Sequence, residues 1–222
     1  MESTATMNKI LRDRLKSLAV AAALAITGVA ATPAAEQTLM LYGDSLMAGL
    51  GLSEREAFAG RLQQALGDQV TIVNASVSGD TSADGLARLD WSLADRPDAV
   101  VLELGANDML QGLGVEAMRG NLASMLERFS AEGIPVLLVG MRASPSLGSD
   151  YVQAYEAVFP ELAAQFDTAF YPFFLEGVAT DAALNQADGM HPNAAGVARI
   201  VDSIQPFVSA LLATSAKTKA GT

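Results

Sequence analysis

The chain has 222 residues, with 14 Lys and Arg against 25 Asp and Glu, one histidine and no cysteine. The absence of cysteine excludes a thiol nucleophile, an iron–sulfur cluster and a cysteine zinc site, and a single histidine excludes a histidine-rich metal centre. A formal charge of -11 argues against a nucleic-acid partner, while half apolar and 18% charged residues make a globular chain with its own core.

At the N-terminus, Lys9, Arg12, Arg14 and Lys16 precede an uncharged apolar run of 14 residues, Leu18 to Ala31. Small residues follow in Ala31-Thr32-Pro33-Ala34-Ala35. A basic segment, an apolar run of that length and a small-residue exit are those of a secretory signal peptide, so residues 1–35 are expected to be removed and the protein to be periplasmic or secreted. A bilayer span takes about 20 residues, and no cysteine stands at the exit to carry a lipid, so no stable membrane anchor is expected after cleavage. Removal leaves 10 basic against 23 acidic residues, a charge of -13.

From Thr38 onward short apolar runs alternate with longer amphipathic ones. The first run, Thr38–Tyr42, leads into Gly43-Asp44-Ser45-Leu46 and then a helical stretch near Ala57–Leu66. The second, Val70–Asn74, leads into Ala75-Ser76-Val77-Ser78-Gly79-Asp80 and a helix over Thr81–Ala94. The third, Ala99–Leu104, is followed by Gly105-Ala106-Asn107-Asp108 and a helix over Glu116–Glu132. Around that last helix Val115, Met118, Leu122, Met125, Leu126 and Phe129 recur at three and four, which marks one buried face. A strand at Pro135–Gly140, a helix at Tyr151–Gln165, a weaker strand at Thr168–Tyr171 and a helix from about Asn193 to Leu212 complete the series. Nearly continuous apolar runs suit strands buried on both faces of a parallel sheet. The alternation therefore predicts an α/β fold, an open parallel sheet covered by helices on both sides. One domain is expected over residues 36–213, with a short flexible tail at 214–222.

In such a sheet, ligands bind beyond the carboxyl ends of the strands, where the loops holding Ser45, Gly79 and Asn107 should converge. A serine nucleophile needs a base, a group to orient that base, and donors for the oxyanion. The base must be His191, the sole histidine, in Ala187-Asp188-Gly189-Met190-His191-Pro192. Asp188, three residues upstream, is close enough to hold the imidazole. Ser45 follows a turn that Gly43 allows. Its own N–H, the N–H of Gly79 and the Asn107 side-chain amide are the candidate oxyanion donors. No G-x-S-x-G occurs, so the α/β-hydrolase nucleophile elbow is missing.

Gly43-Asp44-Ser45-Leu46, Gly79, Gly105-Ala106-Asn107-Asp108 and Asp188-Gly189-Met190-His191-Pro192 together resemble the four sequence blocks of the GDSL, or SGNH, hydrolases. The stretches from Val73 to Thr81 and from Tyr171 to Val178 are similar to the TesA-type branch of thioesterases, lysophospholipases and arylesterases. The resemblance runs from Leu39 to about Leu212. It implies a three-layer α/β/α sandwich on a five-stranded, flavodoxin-like parallel sheet. It implies Ser45 as nucleophile, Gly79 and Asn107 completing the oxyanion hole, Asp188 orienting and His191 as base. The chain departs from the family's pattern at Phe58, where tryptophan is common nearby, and at Ala106, where a second glycine is common. Both positions are expected to line or adjoin the acyl region.

The implied activity is hydrolysis of carboxylic esters and thioesters through an acyl-enzyme, with no cofactor and no metal. The substrate is a small acyl ester or thioester, with lysophospholipids among the candidates, and a monomer is the default state. Met109, Leu110 and Phe174 are the expected acyl-binding side chains, with Asp44 a further candidate for contact with substrate. Tyr151, Tyr155 and Phe159 suit core or groove wall. Gly112-Leu113-Gly114-Val115-Glu116-Ala117 has the form of a dinucleotide fingerprint but follows no strand immediately, so it reads as a loop. Two other readings remain: a carbohydrate O-acetylesterase with a shallow polar groove, and a flavodoxin-like binding module without turnover.

Overall fold

In a computed structural model that describes residues 36–220, five strands form a single sheet. They are β1 (Gln37–Tyr42), β2 (Val70–Asn74), β3 (Ala99–Leu102), β4 (Val136–Val139) and β5 (Ala169–Tyr171). All pairings are parallel, in the order β2-β1-β3-β4-β5. The expected signal peptide at residues 1–35 lies outside the described residues. Every residue of β3 and β4, and Leu39–Tyr42 of β1, is buried, which is why these runs lack polar alternation. Strands β2 and β5 lie at the edges and are partly exposed, so their sequences are less uniformly apolar.

Seven helices accompany the sheet: α1 (Ser45–Ala48), α2 (Phe58–Leu66), α3 (Ser82–Ser92), α4 (Ala106–Leu110), α5 (Val115–Ala131), α6 (Ser149–Gln165) and α7 (Ala194–Ala220). Helix α2 packs with α7, while α3, α5 and α6 pack side by side, giving the three layers. On α5 the residues Met118, Leu122, Met125, Leu126 and Phe129 are buried, as their spacing predicts. Tyr155 and Phe159 of α6 are core residues rather than groove wall, stacked edge to face at 5.6 Å. The Gly112–Gly114 stretch is the link between α4 and α5.

Two expectations are corrected. The chain does not loosen at 214: α7 continues to Ala220, and the buried Ser215 hydroxyl donates to the Asp98 carbonyl at 2.7 Å. Apolar periodicity stops at Leu212, but the helix is held beyond it by this polar anchor. Helices α1 and α4 are also additional, each a single short segment directly after a strand. Ala194–Ala216 of α7 is long and apolar enough to cross a membrane. Its Val197, Ile200, Val201, Ile204, Val208 and Leu211 are instead buried in the domain core.

Strand β1 pairs on one side with β2 and on the other with β3, so the chain reverses its direction of travel across the sheet there. That switch point leaves a crevice at the strands' carboxyl ends. The loops after β1, β2 and β3 carry Ser45, Gly79 and Asn107.

Candidate active site

The turn that carries Ser45 is built from below. A side chain at Gly43 would begin 2.7 Å from the Glu103 carbonyl oxygen and 2.8 Å from Glu103 Oε2. Glycine is therefore needed for close packing against β3. Asp44 then caps α1, its Oδ1 accepting from the Leu46 N–H at 2.9 Å. Ser45 is the first residue of that helix, and its Oγ lies 2.9 Å from His191 Nε2.

His191 comes from a loop that is folded on itself. Asp188 Oδ1 accepts from the N–H groups of Met190 and His191 at 2.9 and 3.0 Å, and its Oδ2 lies 2.7 Å from His191 Nδ1. Those bonds, the His191 N–H foremost, hold the Asp188 carboxyl well below the usual carboxylate range, at about 2. An ionised Asp188 keeps the ring proton on Nδ1, which leaves Nε2 as acceptor for the Ser45 hydroxyl. Gln186 straps the loop to the segment after Ser45, its Nε2 donating to the Leu50 carbonyl at 2.8 Å and to that of Pro192 at 3.0 Å. Asn193 closes the loop by capping α7, its Oδ1 accepting from the N–H groups of Ala195 and Gly196.

On the oxyanion side, the N–H groups of Ser45 and Gly79 have no acceptor among the described residues. Gly79 has a φ of 91°, and nothing lies within 4 Å of where its side chain would start. A left-handed backbone and an open approach both favour glycine here. Asn107 is more committed than its sequence setting suggests. Its Nδ2 donates to Asp44 Oδ2 at 3.1 Å and to the Asp80 carbonyl at 2.9 Å. Donating to an oxyanion would therefore mean sharing one of these protons, most readily the one on the longer bond. Asp80 is itself paired with Arg88, which also donates to the carbonyls of Ala75 and Gly43 and lies 4.1 Å over the Tyr42 ring. Asp108 accepts from the N–H and hydroxyl of Ser82, so it fastens the β3 loop to α3. Among the described residues no three His, Asp or Glu side chains are grouped to hold a metal ion.

A cleft of about 740 Å³ opens beside Ser45, Gly79, Asn107 and His191. Met109 and Leu110 line it as expected, with Leu46, Met141, Val152 and Leu175 extending its apolar wall. Phe174 does not. It is 1% exposed and packs edge to face on Phe58 at 5.2 Å, while its neighbour Phe173 faces the cleft. The Phe174 N–H donates to the Gly140 carbonyl, which turns this residue inward. Phe58 is equally a core residue, so only Ala106 of the two departures touches the cleft. Asp44 borders the floor, with its carboxyl buried and engaged by the Leu46 N–H and the Asn107 amide. Gln186, Arg142, Glu156 and Phe173 are site residues that sequence reasoning missed. Gln186 acts through a contact 136 positions away in sequence, for which no local signal exists.

Residues 41–199 match the GDSL-like lipase/acylhydrolase family. The chain belongs to that family. It is similar to the protein named esterase TesA of Pseudomonas aeruginosa, 45% identical over 183 residues that cover 81% of this chain and 91% of the relative. The Escherichia coli protein named thioesterase 1/protease 1/lysophospholipase L1 is 38% identical over 181 residues, 79% of this chain and 87% of its own. A crystal structure of TesA superimposes with a TM-score of 0.75 at 45% identity, covering 79% of this chain and 99% of that one. The family and its relatives make the chain an ester hydrolase on the expected five-stranded α/β sandwich.

Proposed function

We propose that Ser45 is the nucleophile, His191 its base and Asp188 the residue that orients the base. Ser45 Oγ attacks the acyl carbonyl as His191 Nε2 takes its proton. The oxyanion rests on the N–H groups of Ser45 and Gly79 and on the Asn107 amide. His191 then gives its proton to the leaving alcohol or thiol, and water repeats the sequence on the acyl-Ser45 ester. The observation carrying this reading is the unbroken chain from Ser45 Oγ through His191 to Asp188, at 2.9 and 2.7 Å, beside two N–H groups with no other acceptor.

The substrates are carboxylic esters and thioesters whose acyl chains lie along Met109, Leu110 and Phe173. A largely apolar wall favours this over a sugar O-acetylesterase, which would need a polar groove. The rim adds weight for lipid-like substrates such as lysophospholipids. Leu50, Val77, Leu110, Leu147 and Met190 are exposed large apolar side chains, each on the segment that follows the carboxyl end of a different strand. Residues 1–35 are an export signal in this reading, and the enzyme works outside the cytoplasm. The test is labelling by a fluorophosphonate probe, with the modified residue mapped, beside a panel of p-nitrophenyl esters of rising chain length, a lysophospholipid and an acyl thioester. Labelling at Ser45 and rates that climb with chain length support the proposal. Labelling elsewhere overturns it, and preference for acetylated sugars replaces it.

A further inference from the structure

The central strand β3 ends in an acid that the mechanism above does not use. Glu103 is 0% exposed, directly beneath the Gly43–Asp44 turn. One carboxyl oxygen, Oε2, has only the Asp44 N–H at a long 3.4 Å, and the other, Oε1, has no partner among the described residues. The titratable groups that act on it are Asp44 on the Ser45 turn and Tyr155 on α6. Asp44 in turn faces His191, Asp80 and Asp108, and Arg88 is spent on Asp80 and on backbone carbonyls.

A carboxylate in such a place would be a buried charge without a cation, beside a second carboxylate. Two adjacent buried acids do not both ionise. Asp44 has two donors on its carboxyl, from Leu46 and Asn107, whereas Glu103 has one marginal donor. Burial raises the Asp44 carboxyl to about 6, so above that pH the charge goes to Asp44 and the proton stays on Glu103. The Tyr155 hydroxyl is also without a partner among the described residues, 3.4 Å from where a Gly105 side chain would start.

We propose that Glu103 is a positioning residue for the oxyanion site, a neutral buried acid that props the Asp44 turn so that Asp44 holds the Asn107 amide and Ser45 heads α1. The proposal rests on the roles given above to Ser45 and Asn107. Burial, with Asp44 beside it, pushes the Glu103 carboxyl well above its ordinary range, in keeping with a retained proton. The close fit at Gly43 makes the coupling mechanical, since that backbone cannot move down without meeting Glu103. Ionisation of Glu103 would repel Asp44 and loosen its grip on Asn107.

The test uses Glu103→Gln, which copies the neutral acid in shape, and Glu103→Ala, which removes the prop. Steady-state kinetics on a p-nitrophenyl ester and thermal unfolding are followed from pH 5 to 9, with fluorophosphonate labelling of Ser45 in each protein. Alanine should lower kcat about tenfold or more while moving KM less than about twofold, and glutamine should restore kcat to within about threefold of wild type. The sign of the stability effect follows from linkage. Above the ordinary glutamate range the native state keeps a proton that the unfolded chain has released, so wild-type stability falls as pH rises. Glutamine carries no such proton, so its Tm should gain on wild type steadily from pH 5 to 9. A folded glutamine variant that loses about tenfold or more in kcat, or a Tm difference flat across that range, overturns the proposal. So does an alanine variant with unchanged kcat. If alanine does not fold, the glutamine arm decides alone. Wild-type protein unlabelled at Ser45 would defeat the assignment of the site itself, whatever the Glu103 variants do.

Discussion

Replacing Asn107 with alanine strikes the chemistry and the architecture of the site together, because in the proposed mechanism one amide serves both, and separate measurements tell the two costs apart. Loss of a single oxyanion donor typically costs about 10²–10³ in kcat, or roughly 2.7–4 kcal/mol. In this protein the expected loss sits near the lower end of that range. The resting amide already donates to Asp44 and Asp80, so binding an oxyanion exchanges a hydrogen bond rather than adding one. KM should barely move, because the donor gains most when the carbonyl becomes tetrahedral. A second cost falls on the fold. Asp44 is 1% exposed and would keep only the Leu46 N–H on its carboxyl, a deficit of about 1–3 kcal/mol. For a domain of this size that is a Tm decrease of roughly 2–12 °C. The assay is steady-state hydrolysis of a p-nitrophenyl ester beside thermal unfolding by circular dichroism. A kcat within about threefold of wild type in a folded variant would refute Asn107 as a donor. An unchanged Tm would refute its role in holding Asp44.

Ser45→Ala should abolish ester turnover and phosphonate labelling while leaving Tm within about 2 °C of wild type, since its side chain makes no hydrogen bond except to His191. Asp188→Asn should lower kcat about 10³–10⁴-fold by releasing the tautomer of the imidazole, as in other serine triads. Because its hydrogen bonds hold Asp188 at about 2, that carboxylate stays ionised until pH falls through this value, and its support for His191 is present throughout pH 4–9. The acid limb of kcat/KM above pH 4 should therefore follow a single proton, and a slope of two would count against it. The two adjacent phenylalanines should part company. Phe173→Ala should raise KM for long acyl esters more than for acetate, with little change in Tm. Phe174→Ala should cost about 3–5 kcal/mol of stability and leave chain-length preference alone. A reversed pattern in unfolding and ester-panel data would show the cleft wall to be misassigned.

Strand positions were legible in the sequence wherever burial on both faces removed polar alternation, as in Val100–Leu102 and Val136–Val139. The proposed reacting groups are legible because each sits close after a strand or in a short loop with few rival chemistries, and a lone histidine leaves one candidate base. Helices α1 and α4 were not, because four or five residues are too few to display a periodic face. The choice between Phe173 and Phe174 turns on one step of backbone rotation after an edge strand, set by a bond to Gly140 that no local pattern announces. Glu103 falls inside the apolar run Ala99–Leu104, and nothing in that run announces a buried acid beneath the Gly43–Asp44 turn.

The site divides into parts held in different ways, and that division bears on what substitutions can do. Ser45, Gly79 and Asn107 stand on adjoining strand ends, fastened by buried acids that each have a separate task. Asp44 takes the Leu46 N–H and the Asn107 amide, Asp80 takes Arg88, and Asp108 takes Ser82. Disturbing any of them changes packing and chemistry together, since the same bonds serve both. The base arrives differently. Its loop carries an Asp188 side chain that is 46% exposed, and it reaches the nucleophile side through Gln186 on the Leu50 carbonyl. A fold that fixes the nucleophile and its donors rigidly while suspending the base on a surface loop can vary the cleft wall widely, because Met109, Leu110 and Phe173 carry none of these bonds. In the proposed mechanism, substitutions at these three positions should therefore alter acyl preference without disturbing the Ser45–His191–Asp188 geometry.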